Sequence, residues 1–88
     1  MKTTKQLERY FKGVSNHNRL DILRLVDKNE GITLSQISED LNKNIKTTSE
    51  HTRRLVLAGL LNKKYKAQEV WHSLSPYGKC FLKFINSF

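Results

Sequence analysis

Almost nothing in this sequence could hold a fold together except packing. Among its 88 residues are one cysteine, one proline, one tryptophan and four glycines. A lone Cys80 forms no internal disulfide. His17, His51 and His72 are too dispersed to give the ligand spacing of a structural metal, so neither a metal nor any other cofactor is expected. No run of about 18 apolar residues is present, which excludes a membrane-spanning helix. The charged start Met1-Lys2-Thr3-Thr4 has no signal-peptide pattern, and a cytoplasmic protein is the expectation. Enzyme signatures are missing too: there is no glycine-rich phosphate loop, no pair of carboxylates on one face, and no nucleophile with a neighbouring base at motif spacing. The chain is expected not to be an enzyme.

Acidic residues are also scarce. Sixteen Lys and Arg stand against eight Asp and Glu, giving a net charge of +8 and a pI near 9.9, which favours an anionic partner such as nucleic acid or a membrane surface. The imbalance is local. Residues 15–30 balance, residues 31–42 are net acidic, and residues 43–69 carry seven Lys and Arg against Glu50 and Glu69. Eighty-eight residues make one small domain, with no room for a separate ligand-binding domain beside a packed core.

What is present is periodic. Leu7, Tyr10, Phe11 and Val14 fall at i, i+3, i+4 and i+7 and predict a first helix over 4–14; its other face carries Lys2, Lys5, Arg9 and Lys12, read as a solvated face, with contact to DNA backbone as the alternative. Asn16 or Asn18 caps a second helix, whose Leu20, Ile22, Leu23, Leu25 and Val26 form a broad core face. After Glu30-Gly31, Ile32-Thr33 suits a short strand, and Ser35 starts a short third helix with Leu34, Ile37 and Leu41 on one side. A polar turn, Asn42-Lys43-Asn44, then leads into a fourth helix with Asn44 as N-cap and Gly59 at its left-handed exit. On that helix Ile45, Thr48, Thr52 and Leu55 gather on a buried face made weak by two threonines, and Lys46, Glu50, Arg53 and Leu57 lie opposite. A short helix, a turn and a longer basic helix in succession make a helix-turn-helix.

Two β-prone runs, 60–65 and 70–74, form a hairpin with Lys63, Lys64 and Lys66 near its tip. Beside a basic helix this reads as a DNA-touching wing rather than a lysine-protected sheet edge. Ser75-Pro76 opens a last helix bearing Tyr77, Cys80, Phe81, Phe84, Ile85 and Phe88 on one stripe. So aromatic a face at 76–88, with the stripe Leu7, Tyr10 and Phe11 on the first helix, predicts self-association; packing of Phe81 and Ile85 on the first helix is the plainer alternative. The fold class is therefore mainly α with a small β-hairpin, in the order α-α-(short β)-α-α-β-β-α, as one domain over 1–88.

The run Ser15-Asn16-His17-Asn18-Arg19-Leu20-Asp21-Ile22-Leu23, the helix around Leu34-Ser35-Gln36-Ile37, the stretch Ser49-Glu50-His51 to Ala58-Gly59-Leu60, and Ser75-Pro76-Tyr77-Gly78-Lys79 together resemble a winged helix-turn-helix regulator of the ArsR type. His17 stands where that family usually has proline. The resemblance implies a prokaryotic transcription regulator that binds operator DNA as a symmetric dimer, usually repressing. It does not imply metal sensing, because Thr33 and Ser35 occupy the positions of the family's cysteine pair and are poor ligands for soft metals.

The function expected is a repressor that binds a palindromic double-stranded operator as a homodimer. Its DNA-contacting residues would be Lys43, Lys46, Thr47, Ser49, Glu50, Arg53, Arg54, Lys63, Lys64 and Lys66. The arginines and Lys46 would divide between phosphates and guanine edges, and Glu50 would accept from cytosine N4. The dimer surface would be Leu7, Tyr10, Phe11, Tyr77, Phe81, Phe84 and Phe88. The alternative is a winged-helix protein-interaction module working through the aromatic last helix. Single-strand binding lacks its stacking platform, since only Tyr65 is aromatic between 43 and 68. Cys80 is read as a buried inert thiol rather than a redox switch, and His51 as either a phosphate contact or a satisfied half-buried side chain. Of Trp71 and His72, alternation puts one in the core and the other outside.

Overall fold

The computed structural model describes residues 1–88. Five helices and three strands follow in the order α1 (Thr4–Val14), α2 (His17–Lys28), β1 (Ile32–Thr33), α3 (Leu34–Asp40), α4 (Ile45–Leu57), β2 (Leu61–Lys66), β3 (Glu69–Leu74) and α5 (Pro76–Ile85). This is the winged-helix order expected from the sequence. β1 adds to the hairpin, so the sheet has three antiparallel strands in the order β1-β3-β2, with Ile32 opposite His72 and Leu61 opposite Leu74.

Each helix starts where a side chain satisfies its open N–H groups. Thr3 and Gln6 form a reciprocal capping box on α1, Asn16 rather than Asn18 caps α2, and Ser75 caps α5 with Pro76 in the first turn. α3 begins at Leu34, one residue before the expected Ser35, because Thr33 is the residue that caps it. The helix-turn-helix turn is set by Asn42 in the left-handed region (φ 52°), tied by the amide of Lys43 donating to Ser38 O at 2.9 Å.

The core joins Ile22, Leu23 and Val26 of α2 to Ile37 of α3, Leu55 of α4 and Leu60, Leu61, Leu74 and Leu82. Two close approaches fix the outer helices on it. A methyl group at Gly13 would overlap the Ala58 side chain, and one at Gly78 would overlap the Leu60 carbonyl, so these glycines let α1 press on the end of α4 and α5 on the start of the wing.

Three sequence expectations need correction. Ile45, assigned to the buried face of α4, is 50% exposed, since it opens the helix beyond the reach of the core. Thr48 and Thr52 make that face tight rather than weak: both are buried, and their hydroxyls donate within the helix to Asn44 O and Ser49 O at 3.0 Å, so burial leaves neither unsatisfied. Cys80, expected to be buried, is exposed. The inward face of α5 is Gly78 and Leu82, which turns the aromatic stripe, and Cys80 with it, outward.

Candidate nucleic-acid interface

α4 presents its cations on one solvent face because the buried positions Thr48, Thr52 and Leu55 fix its rotation. Asn44, whose side chain accepts from the Lys46 amide at 2.7 Å, sets the first turn. Lys43, Lys46, Thr47, Ser49, Glu50, Arg53 and Arg54 are all exposed there. Their ammonium groups, hydroxyls and remaining guanidinium N–H groups suit phosphates and base edges.

Glu50 organises this face. Its Oε1 accepts from Arg53 Nη2 at 2.9 Å and from Arg54 Nε at 3.0 Å, and its Oε2 accepts from Arg53 Nε at 3.1 Å. Hydrogen bonds from Arg53 are the main cause holding the Glu50 carboxyl down at about 2, opposed by desolvation and reinforced by Arg54; the Arg53 pKa rises for the same reason. A carboxylate has roughly four acceptor sites, so this one keeps capacity for a cytosine N4–H while it aims two guanidinium groups. Sequence spacing alone put these residues on adjoining faces without revealing the clasp.

The wing is built by a two-residue turn. Ala67 and Gln68 both have positive φ (49° and 69°), which requires the tight hairpin geometry of a type I′ turn and makes the loop shorter than the expected 66–69. Along β2 the side chains alternate, so the wing lysines have different neighbours. Lys64 and Lys66 stand across from Trp71 and Glu69, with Lys66 Nζ 5.4 Å from the Trp71 ring centre. Lys63 lies 5.6 Å from the Tyr65 ring centre. It lines a narrow cleft of about 90 Å³ between helix and wing, with Ser49, Arg53, Tyr65 and His72. Lys63 therefore joins the α4 cations and also borders the groove lined by Lys64, Lys66 and Trp71. Tyr65, 72% exposed, is a wing residue that charge counting passed over.

Both open histidine questions have answers in the packing. His72 is buried and Trp71 only half-buried. Desolvation lowers the His72 pKa, against a backbone hydrogen bond with Ile32 that raises it, and its Nδ1 has no protein partner. His51 is a satisfied half-buried side chain: its Nδ1 accepts from Arg19 Nε at 3.2 Å. Its pKa is lowered, first by burial and then by the Arg19 charge, which keeps the ring neutral and able to accept.

The aromatic residues form a second face, on α1 and α5. Tyr10 and Tyr77 have ring centres 5.4 Å apart, Phe11 and Phe81 5.4 Å, Phe81 and Phe84 6.2 Å, and Phe84 and Phe88 5.2 Å. The stripes of α1 and α5 thus merge. Leu7, Phe11, Tyr77, Phe84 and Phe88 remain between 46% and 93% exposed, although Phe81 does pack on α1. Lys2 closes one end, 4.4 Å from the Tyr77 ring centre, and its pKa is raised by hydrogen bonding to Tyr10 and Tyr77. No helix is long and apolar enough to cross a membrane.

Comparison with solved structures gives the same arrangement. HlyU from Vibrio cholerae superposes with a TM-score of 0.85 at 25% identity, over 96% of this chain and 91% of that one. The homodimeric winged helix-turn-helix DNA-binding domain of Mb0332 from Mycobacterium bovis, a possible ArsR-family transcriptional regulator, has a TM-score of 0.86 at 20% identity over 94% and 77%. Streptococcus pneumoniae FabT in complex with DNA has a TM-score of 0.74 at 19% identity, over 80% and 51%. The ArsR-type resemblance agrees with these likenesses. No curated protein matches the chain in sequence. Residues 15–62, more than half of the sequence, match the winged helix-turn-helix DNA-binding family, to which this chain belongs.

Proposed function

We propose that this protein is a transcriptional repressor that binds a palindromic double-stranded operator as a homodimer. The observation that carries the reading is the separation of two exposed surfaces: a cationic one on α4 and the wing, and an aromatic one on α1 and α5. Lys46, Ser49, Arg53 and Lys63 would enter the groove or grip its rim, Arg54 and Lys43 would hold phosphates, and Lys64 and Lys66 would hold the flanking backbone. Leu7, Tyr10, Phe11, Tyr77, Phe81, Phe84 and Phe88 would meet their copies across a two-fold axis, with α5 as the dimer helix of a single domain over 1–88. The homodimeric Mb0332 domain and the DNA-bound FabT support each half of this reading.

The test is fluorescence anisotropy of the purified protein on its own upstream DNA and on random duplex at several salt concentrations, with sedimentation alongside. A dimer that prefers the upstream fragment is expected. If it neutralises about 6–10 phosphates, it should lose roughly 10³–10⁵ in affinity between 50 and 200 mM salt. A monomer that ignores duplex at low salt would refute the proposal and leave the aromatic face as a site for another protein.

A further inference from the structure

Four cations from three separate elements line one open cleft of about 340 Å³: Arg9 and Lys12 of α1, Arg19 of α2 and Arg54 of α4, with Gly13, Leu57 and Ala58 as its floor. No carboxylate lines it. The cleft exists because Gly13 lets the end of α1 lie directly on Ala58, which brings the α1 cations beside the basic face of α4. Arg19 is spent in building it: its Nη1 donates to Lys12 O at 3.4 Å and Gly13 O at 3.3 Å, offsetting the negative end of α1, while its Nε donates to His51.

Arg9 and Lys12 are left for a ligand. Arg9 has no carboxylate partner, and Lys12 has only an open pairing with Glu8 at 3.8 Å, both side chains being more than half exposed, a geometry of little energetic weight. Arg54 uses Nε on Glu50, which leaves its outer nitrogens to the cleft. Convergent positive charge with no carboxylate in the cleft lining, beside the basic face of α4, suits a phosphodiester.

We propose that this cleft seats phosphates of the DNA backbone, extending the footprint past the end of α4 toward α1. The inference rests on the operator-binding reading. It places on the DNA two residues, Arg9 and Lys12, that lie outside both the helix-turn-helix and the wing.

The experiment compares wild type, R9Q/K12Q and the charge-matched control K79Q/K83Q, whose lysines lie on α5, by anisotropy on operator and random duplex across 50–200 mM salt. Loss of two phosphate contacts lowers the slope of log K against log salt by about 1.8 per protomer. A fourfold rise in salt should then weaken wild type roughly 12-fold more per protomer than R9Q/K12Q. The preference for operator over random duplex should be unchanged, since phosphates carry no sequence, and the control should keep the wild-type slope. A wild-type slope in R9Q/K12Q, or an equal loss in the control, overturns the cleft while leaving operator binding intact; a changed operator preference overturns the phosphate assignment. Absence of duplex binding by wild type overturns both readings. Because both side chains are exposed, unaltered circular dichroism melting is expected, and R9K/K12R, which keeps the charge, should restore the slope.

Discussion

Replacing Glu50 with glutamine tests whether the arginine clasp restrains this DNA face. Three short hydrogen bonds link Glu50 to Arg53 and Arg54, and the carboxyl, held at about 2, stays ionised throughout the neutral range. Two guanidinium charges therefore share one counter-charge on the protein before DNA arrives. Glutamine keeps the shape but removes the charge, so one net positive charge is freed, and both arginines can turn wholly to phosphate. Random duplex should be bound more tightly, with a salt slope steeper by about 0.9 for one extra phosphate and about 1.8 for two. Over a fourfold rise in salt this adds a loss of roughly 3.5-fold to 12-fold per protomer.

Operator preference should fall at the same time, because a carboxylate repels phosphate everywhere except where it can accept from a cytosine N4–H. The assay is anisotropy on operator, on single-base operator variants and on random duplex, from 50 to 200 mM salt. Weaker binding to random duplex, or an unchanged slope, would refute the restraining role. An unchanged ranking of operator variants would refute the base contact. Stability should hardly move, since the three side chains are about half exposed and solvent screens their interaction.

The other predictions concern packing, pH and assembly. Gly78→Ala drives a methyl group into the Leu60 carbonyl, a backbone atom that cannot step aside, and should cost about 1–3 kcal/mol in urea unfolding; a wild-type midpoint would refute the close approach. For His72, burial lowers the folded pKa below the ordinary 6.5, so above 6.5 both states are neutral and stability is complete. As pH falls below 6.5 the unfolded chain gains a proton that the folded chain refuses, and stability should drop until the folded pKa is passed. Urea midpoints should therefore fall from pH 7.5 to 5.5, with a smaller fall in His72→Gln; NMR titration of the His72 ring at or above 6.5 would contradict the desolvation. Phe84→Asp, at a half-exposed position, should keep its helical circular dichroism but sediment as a monomer and lose most operator affinity; a dimer would remove Phe84 from the interface.

Much of this fold could be read from the sequence because its boundaries are local chemistry. Asn16, Asn44 and Ser75-Pro76 each announce a helix by satisfying N–H groups within three residues, and Gly59 (φ 82°) closes α4 where its left-handed exit was expected. Exposure was harder to read, because it depends on which neighbour an apolar stripe meets. The stripe of α5 was visible, but the contact that orients the helix is Gly78 on the Leu60 carbonyl, and a glycine leaves no trace in a hydrophobic pattern. Cys80, read from the pattern as a buried thiol, lies outside with the aromatic stripe. Thr48 and Thr52 misled in the opposite sense: their polarity suggested loose packing, yet hydroxyls returned to the helix backbone let them fill a core position.

Charge was legible as a total and illegible as a distribution of free groups. Counting put seven cations between residues 43 and 69, but only tertiary structure tells which are available. Arg19, from the charge-balanced stretch 15–30, is consumed by the end of α1, whereas Arg9 and Lys12 of the α1 outer face border the α4 cations. The same packing ties the two surfaces together. The Tyr10 ring pairs with Tyr77 on the aromatic face, and a side chain placed at Gly59 would lie 3.4 Å from it. α1 therefore touches the proposed dimer surface through one side of Tyr10 and the exit of the reading helix through the other. In the proposed dimer, α1 would therefore link the aromatic packing between α1 and α5 to the exit of α4.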